Sequence, residues 1–560
     1  MIVDLAENAL PELQEYDLCI VGTGPAGATL ARELAGGALR VCVLESGRRR
    51  PTPLGDALRA TESSGIHVKD WSRERVLGGA STTWAGLSSP LDGIDMLPRP
   101  WIGSEGWPMA RSEMLALYDE AAERYRFPRS DTFGASGFAA LRERGAFQPV
   151  WKSLEEKVFL ACAEPQNFAL ESGAAWSASN IDLLLDATAV RIDTSGGPGR
   201  ARARSVRVRT SRGHEFEVRA RAFVLATGGI ENARLLLVSR DATSTGLGNE
   251  HGQVGLGFMN HPKNYFGILR LARPIDSLPY FFGALHKGFA GYAGLRLSDE
   301  RQRELGVLNS YARFEPLFPW SDNDGVESLV TLVKRSKGLF SRWKSGKSGE
   351  VVELRDWSET GDDSERQNAR GGALPRLALF GNVILHAPSV AQYAWFRLGR
   401  KKPKVRRVRV RHFLEMQPSN VNRVELSSTL DTNGVPIPRV HHSCNELDKR
   451  SLVELWKALR VELAANGLGE LDGDLEHADP WPIDQDASHH MGSTRMGADA
   501  RTSVVDADLR LHGAHNVWIA GASVFPTSGC ANPTMTIVAL SIRLARRLQV
   551  ELARARESVA

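Results

Sequence analysis

An α/β fold with an α+β arrangement is predicted, in which the segments of a parallel sheet are interleaved along the chain with those of an antiparallel one. Three features predict it. Tyr16 to Val21 (YDLCIV) is a short apolar run that enters a glycine-rich turn and a helical stretch, ATLARELAGG, before a second apolar run, RVCVLE, ends at Glu45. Phe223 to Leu237 (FVLATGGIENARLLL) reads as strand, Gly-Gly turn and amphipathic helix. Near the carboxy end, VWIAGA is followed by the helical TMTIVALSIRLARRL. Short, continuously apolar runs suit strands buried on both faces, and their alternation with helices suits a parallel sheet.

The first turn carries the most chemistry. Gly22-Thr23-Gly24-Pro25-Ala26-Gly27 is a G-x-G-x-x-G in a strand–turn–helix–strand frame, with the acidic Glu45 closing the second strand. Gly22 permits the tight turn, Gly24 lets the backbone approach a pyrophosphate, and Gly27 allows close helix packing. The helix amino terminus then holds the phosphates, and Glu45 binds adenosine ribose hydroxyls. The frame predicts a Rossmann-like dinucleotide site, although this motif by itself does not separate NAD from FAD.

Two further segments favour FAD. Arg75 to Gly86 (RVLGGASTTWAG) is a glycine-rich loop, with Gly79, Ser81 and Trp84, suited to pass over an isoalloxazine. Phe223 to Leu237 is the second. Between them Asn180 to Thr194 (NIDLLLDATAVRIDT) alternates and reads as a strand whose backbone near Val190 contacts adenine.

The stretch from Asp486 to Leu548 is the most informative. His489 and His490 sit in a loop of glycine, serine and threonine, and PTSGCANP sets Asn532 at a helix start. An alcohol dehydrogenated by a flavin loses a hydroxyl proton and a carbon-bound hydride. A neutral imidazole within hydrogen-bond reach accepts the proton. A neutral amide donates to the developing alkoxide without competing for that proton.

HHMGSTRMG (His489 to Gly497) and NVWIAGASVFPTSGCANPT (Asn516 to Thr534) resemble the carboxy-terminal signature of the glucose–methanol–choline (GMC) oxidoreductases. The likeness is to the sugar-oxidising branch, which includes pyranose 2-oxidase, fructose dehydrogenase and gluconate dehydrogenase. The amino-terminal motif, the GGASTTW loop and PSNVNRVELSSTLDTNGVP (Pro418 to Pro436) are similar to that family too. Both ends of the chain are covered well and the middle patchily.

The resemblance implies an FAD-dependent oxidoreductase that takes a hydride onto flavin N5 from a CH–OH carbon. Its substrate would be sugar-like: a monosaccharide, a glycoside or an aminoglycoside-type amino sugar. The family's catalytic histidine stands three positions before the glycine of H-x-x-G-[TS], which selects His489 as the base over His490, and its partner falls on Asn532. Gly521, Ala522 and Thr534 match positions close to the flavin. Thr83 stands where pyranose 2-oxidase carries a flavin-linking histidine, and a threonine cannot form that bond, so FAD is expected to be non-covalent. The electron acceptor, oxygen or another carrier, is left open. Oxidation of a non-sugar alcohol and a non-redox lyase are the competing readings.

At 560 residues the chain exceeds one simple core. A discontinuous FAD-binding domain is expected over 1–130, 180–265 and 480–560, with a substrate domain over 266–479 plus 131–179. Val254 to Pro262 (VGLGFMNHP) reads as the crossover, and a sheet including RVRHFLEMQPSNVNRVEL as part of the substrate domain. The polar Ser358 to Gly372, with its acidic residues, reads as a mobile loop or lid.

Composition narrows the classes. A net charge of +4 over 560 residues gives no reason to expect a nucleic-acid partner. Five scattered cysteines (Cys19, Cys42, Cys162, Cys444, Cys530), with no C-x-x-C, suggest neither disulfides nor zinc. The histidines His67, His261, His286, His386, His412, His441 and His442 show no metal-ligand spacing, so no metal is expected. The first residues lack a basic region followed by an apolar one, and the location expected is cytoplasmic. Leu377 to Phe396 carries no charged side chain and runs into RLGRKKPKVRRVRVRH, but Gly381, Asn382, His386, Pro388, Ser389 and Gln392 interrupt it. That stretch and the basic Lys334 to Gly349 read as surface segments of the substrate domain, with peripheral contact to an anionic surface or partner as the alternative.

Overall fold

The computed structural model describes residues 1–12, 15–69, 72–142, 147–162, 164–284, 289–340, 376–399, 403–482 and 488–557. Two large sheets and one small one organise these residues. The first, of eight strands, runs in the order Ile2–Asp4, Ile181–Leu185, Val41–Glu45, Tyr16–Val21, Glu215–Leu225, Arg202–Arg209 and Thr188–Ser195, with Val517–Ile519 also pairing on Glu215–Leu225. The strands around Tyr16–Val21 pair in parallel. Tyr16–Val21 and Val41–Glu45 are buried at every position, as continuous apolar runs demand. The helices Pro25–Leu34 and Thr534–Glu557 pack together, the latter burying Met535, Val538, Leu540, Ile542 and Leu544.

The second sheet has seven strands, all antiparallel where paired. Its order is Gly283–Ala284, Phe289–Leu297, Tyr311–Pro316, Val405–Phe413, Lys263–Ile275 and Gly469–Asp472, with Leu154–Cys162 paired on Phe289–Leu297. A three-stranded sheet joins Arg423–Leu430 and Pro436–His442 to Glu62–Gly65.

Two expectations are corrected here. Asn180 to Thr194 is two strands, because Asp186 turns the chain in the left-handed region (φ 58°). Its carboxylate accepts the Ser211 N–H and hydroxyl at 3.1 and 2.7 Å, which holds that turn. The segment RVRHFLEMQPSNVNRVEL also divides: Val405–Phe413 belongs to the seven-stranded sheet, whereas Arg423–Leu430 belongs to the small one.

Leu377 to Phe396 forms parts of two helices, Arg376–Leu385 and Ala387–Leu398, separated at His386 before Pro388. Among the described residues no helix is long and apolar enough to cross a membrane. Ser358 to Gly372, and 341–349 of the basic Lys334 to Gly349 stretch, lie outside the described residues.

Candidate active site

The carboxy ends of the central parallel strands and one face of the antiparallel sheet border a cavity of about 750 Å³, within the range of small-molecule sites. Its nucleotide end is shaped by glycine. Gly22 has φ 102°, and a Cβ there would stand 2.6 Å from the Ala226 carbonyl oxygen. A Cβ on Gly27 would stand 1.9 Å from the Gly22 carbonyl oxygen, so helix Pro25–Leu34 can seat only on glycine. A Cβ on Gly24 would meet nothing within 4 Å, because Gly24 faces the cavity where it caps that helix. The open space at this helix start is a cradle into which a pyrophosphate would fit.

Glu45 is buried on the same wall. One carboxylate oxygen accepts the Thr23 N–H at 3.1 Å and the Thr23 hydroxyl, and the other accepts the Gly47 N–H at 2.8 Å. Burial pushes its carboxyl up from the ordinary value. Gly79 closes over the cradle with φ 55°, its Cβ position 3.1 Å from the Gly24 Cα. Ser81 lines the cavity while its hydroxyl donates to the Gly78 carbonyl at 2.6 Å and accepts the Phe168 N–H at 3.1 Å. Trp84 lines it too, its indole N–H donating to the Gln166 carbonyl at 2.6 Å. Thr83 borders the cavity with its hydroxyl directed to the Ala80 carbonyl at 3.4 Å. On strand Thr188–Ser195 the Val190 side chain is buried, and Ala187 and Ala189 are the residues that border the space. Gly521, Ala522 and Thr534 border it from the carboxy-terminal segment.

Sequence reasoning missed an ionic cluster on this wall. Arg73 and Arg75 pair with Glu231 at 2.6 and 3.0 Å. Burial alone would favour the neutral acid, but Arg75, Arg234 and Arg73 together hold the Glu231 carboxyl well below the usual range. The glycine-rich loop is thereby clamped to helix Glu231–Val238.

The reactive end is assembled from three distant stretches. The segment before strand Lys263–Ile275 hydrogen-bonds to the HHMG segment, with Met259 and Met491 exchanging N–H···O bonds of 2.9 Å in both directions. The side-chain oxygen of the buried Asn260 accepts the backbone N–H of His261 at 2.8 Å and of His489 at 3.0 Å. The two imidazoles then meet, Nδ1 to Nδ1, at 2.9 Å. His261 Nε2 lies 2.9 Å from the Gly529 carbonyl oxygen. His489 Nε2 lies 3.5 Å from the Asn532 amide nitrogen, at the cavity wall.

This arrangement dictates proton positions. A carbonyl only accepts, so His261 carries its proton on Nε2 and presents a lone pair at Nδ1. His489 must therefore donate from Nδ1, which leaves its Nε2 as the basic nitrogen, on the side of Asn532 and the cavity. Burial lowers His261 to about 4, so it remains neutral over the working range. Gly529 is itself held, its N–H donating at 3.0 Å to Glu415, which forms a fully buried bidentate pair with Arg99 at 2.5 and 2.8 Å. His490 turns its ring to Phe258, with centroids 5.8 Å apart. Its carbonyl oxygen would stand 2.0 Å from a Cβ on Gly229, so the Gly-Gly turn is pressed against this loop.

The sheet contributes Lys263, Tyr292, Tyr311, Arg313, Arg411 and Phe413 to the cavity. Tyr311 and Phe413 stack at 4.8 Å, and the Tyr292 and Tyr311 hydroxyls are 3.2 Å apart. Among the described residues no group of three or more His, Cys, Asp or Glu is arranged to hold a metal, and all five cysteines are free.

The chain is similar to known proteins in sequence and in fold. Residues 418–541 match the family described as GMC oxidoreductase. Paromamine 6'-oxidase of Streptomyces fradiae is 23% identical, over 96% of this chain and 92% of its own length. Fructose dehydrogenase large subunit of Gluconobacter japonicus is 25% identical, over 58% of this chain and 46% of its own. Among solved structures, formate oxidase of Aspergillus oryzae superposes with a TM-score of 0.54 at 16% identity, over 96% of this chain and 98% of that one, which is a likeness of fold. Residues 418–541 thus carry a GMC oxidoreductase domain, and the chain is an FAD-dependent oxidoreductase acting on CH–OH donors.

Proposed function

We propose that this enzyme oxidises one CH–OH carbon of a sugar-like alcohol to a carbonyl, with His489 as the base and Asn532 as the group that orients the substrate oxygen. The observation that carries the reading is the pair of His489 Nε2 and Asn532 Nδ2, 3.5 Å apart at the cavity wall, with the histidine's other nitrogen already committed to His261. Bound FAD supplies the acceptor for the substrate hydride. Gly24 would hold its pyrophosphate and Glu45 its ribose, while Thr83 offers no imidazole for a covalent bond, so FAD would be held non-covalently. His489 accepts the hydroxyl proton at Nε2, and Asn532 donates to the oxygen as negative charge grows there.

A sugar-like substrate is supported by the far wall. Tyr292, Tyr311 and Phe413 give this wall aromatic surface against which a carbon skeleton can rest, and Arg313, Arg411 and Lys263 give it N–H donors for hydroxyls. It is also supported by the names of the relatives, which include enzymes of paromamine and of fructose. Because those relatives include both an oxidase and a dehydrogenase, the acceptor of the second half-reaction is oxygen or another carrier. The FAD-binding part is read as 1–130, 180–265 and 480–560, and the substrate part as the remainder.

An anaerobic screen over monosaccharides, glycosides and aminoglycosides tests this. A substrate should bleach the oxidised flavin band, and admitting air then separates oxidase from dehydrogenase. Product formed without bleaching would overturn the redox reading in favour of a lyase.

A further inference from the structure

One short stretch of the surface concentrates apolar side chains in water. Among the described residues, six of the sixteen exposed large hydrophobic side chains fall between Leu377 and Leu398. Leu377 and Leu398 are 85% exposed, Leu385 76%, Ile384 73%, Trp395 70% and Phe380 54%. Single exposed hydrophobics are ordinary, but a contiguous group marks a surface that meets something apolar. The group is carried by helices Arg376–Leu385 and Ala387–Leu398; of the second, no residue is buried, and of the first only Leu379 is buried among its described side chains.

The pair is anchored from beneath. The Asn382 amide donates to the Ser328 hydroxyl at 3.2 Å, and the Trp320 ring meets Tyr393 at 5.8 Å and Phe396 at 5.3 Å. The outward face is therefore presented by a fixed support.

Charge says what the face meets. No charged side chain occurs from Leu377 to Phe396, whereas from Arg376 to Phe413 the sequence carries ten Lys or Arg and no Asp or Glu. Lys404, Arg406 and Arg407 are exposed where strand Val405–Phe413 begins. A second copy of the chain, meeting this patch with its own, would set cation against cation. An anionic lipid surface complements both the apolar face and the basic run. At 1.5 Å per residue, helices of 10 and 12 residues span about 15 and 18 Å, short of the about 30 Å hydrocarbon layer. They suit the plane of the interface rather than its crossing.

We propose that helices Arg376–Leu385 and Ala387–Leu398 form a membrane-surface anchor: their apolar side chains enter the headgroup–acyl boundary of an anionic leaflet, and the exposed Lys404, Arg406 and Arg407 rest on its headgroups. Trp395 stands where an amphipathic ring suits the headgroup level. The anchor is independent of the chemistry at His489.

The test uses the full-length, FAD-loaded enzyme and sedimentation with phosphatidylcholine vesicles, with and without phosphatidylglycerol. At low salt the enzyme should pellet with the anionic vesicles and stay in solution with the neutral ones, and added salt should release it. Trp395→Ser with Leu398→Ser should lower the bound fraction about tenfold, with flavin content and melting temperature unchanged. Lys404→Glu with Arg406→Glu should do the same, and it keeps the question answerable if the first variant loses FAD. No binding to anionic vesicles at low salt, or wild-type binding by both variants, overturns the proposal. So does a dimer in solution that dissociates in the Trp395→Ser, Leu398→Ser variant while vesicles are ignored, which would make the patch a subunit interface.

Discussion

The two ends of the cavity are built by different means. At the nucleotide end the working surface is backbone: Gly22, Gly24 and Gly27 shape a turn from contiguous residues, and their lack of side chains is the recognition feature. At the end proposed to react with substrate the working surface is side chains, His489 and Asn532, aligned by His261 and by the Gly529 carbonyl. The first end can be disturbed only by adding atoms, the second only by removing them. Binding of the cofactor and chemistry on the substrate should therefore fail separately.

The sharpest break of that contrast is at the base. His489→Ala should slow anaerobic flavin reduction about 10²–10⁴-fold in stopped flow, with FAD retained. Asn532→Ala should cost on the order of 10–10³-fold, since one neutral donor contributes less than a proton acceptor. His490→Ala, whose ring lies on Phe258, should change the rate by no more than a few-fold. A rate collapse in His490→Ala alone would move the base by one residue, and loss of FAD from His489→Ala would show that the two ends are not separable.

Next in size is Gly24→Val. A branched side chain would stand in the cavity where the pyrophosphate is read to lie, so the protein should purify largely without flavin. It should also lose the stabilisation that bound cofactor adds by mass action, about 3 kcal/mol for a ligand at a hundred times its Kd. Full flavin occupancy with an unchanged melting temperature would refute the assignment of this loop.

The smallest expected effect sharpens the second half of the contrast. His261→Phe leaves His489 free to carry its proton on either nitrogen, and about 10–100-fold of rate should be lost, as is typical when a group fixing an imidazole tautomer is removed. His261→Gln, whose carbonyl can accept from His489, should recover much of it. The same histidine gives a pH signature. Its pKa is about 4 in the folded protein against 6.5 in the unfolded chain. As pH falls from 6.5 towards 4 the unfolded chain takes a proton that the native state refuses, so stability is lost on acidification. In His261→Gln, melting should be less sensitive to acid across that window, by a few kcal/mol in stability. Equal acid sensitivity in both proteins would mean that the ring titrates normally.

The same division explains what could be read from the sequence. Tyr16–Val21, Val41–Glu45 and helix Thr534–Glu557 lie where their apolar runs predict, because a buried strand or a packed helix face leaves a local pattern. Asn180 to Thr194 misled because its alternation continues across Asp186, and one residue in the left-handed region divides it without disturbing the polarity pattern. His261 was legible only as one histidine among several without metal spacing. Its partner stands 228 positions away, and what brings them together is the Met259–Met491 backbone pairing, which no periodicity announces. Glu231 was hidden likewise, since its arginines Arg73 and Arg75 come from another segment.

In the proposed reaction, with His489 as the base, the hydrogen bond from His261 to the Gly529 carbonyl also determines the exit of the substrate's proton. Once His489 has gained a proton at Nε2, it could lose the one on Nδ1 to His261 only if His261 passed its own onward. An amide carbonyl does not take it, and the depressed affinity of the buried ring discourages holding two. Among the described residues this wire is a dead end for protons, a stay that steadies the base without draining it. Each turnover must therefore discharge through Nε2, by the mouth that admits the alcohol. Proton release is thereby tied to departure of the carbonyl product or to entry of water behind it, and a tightly held product would leave the base still charged.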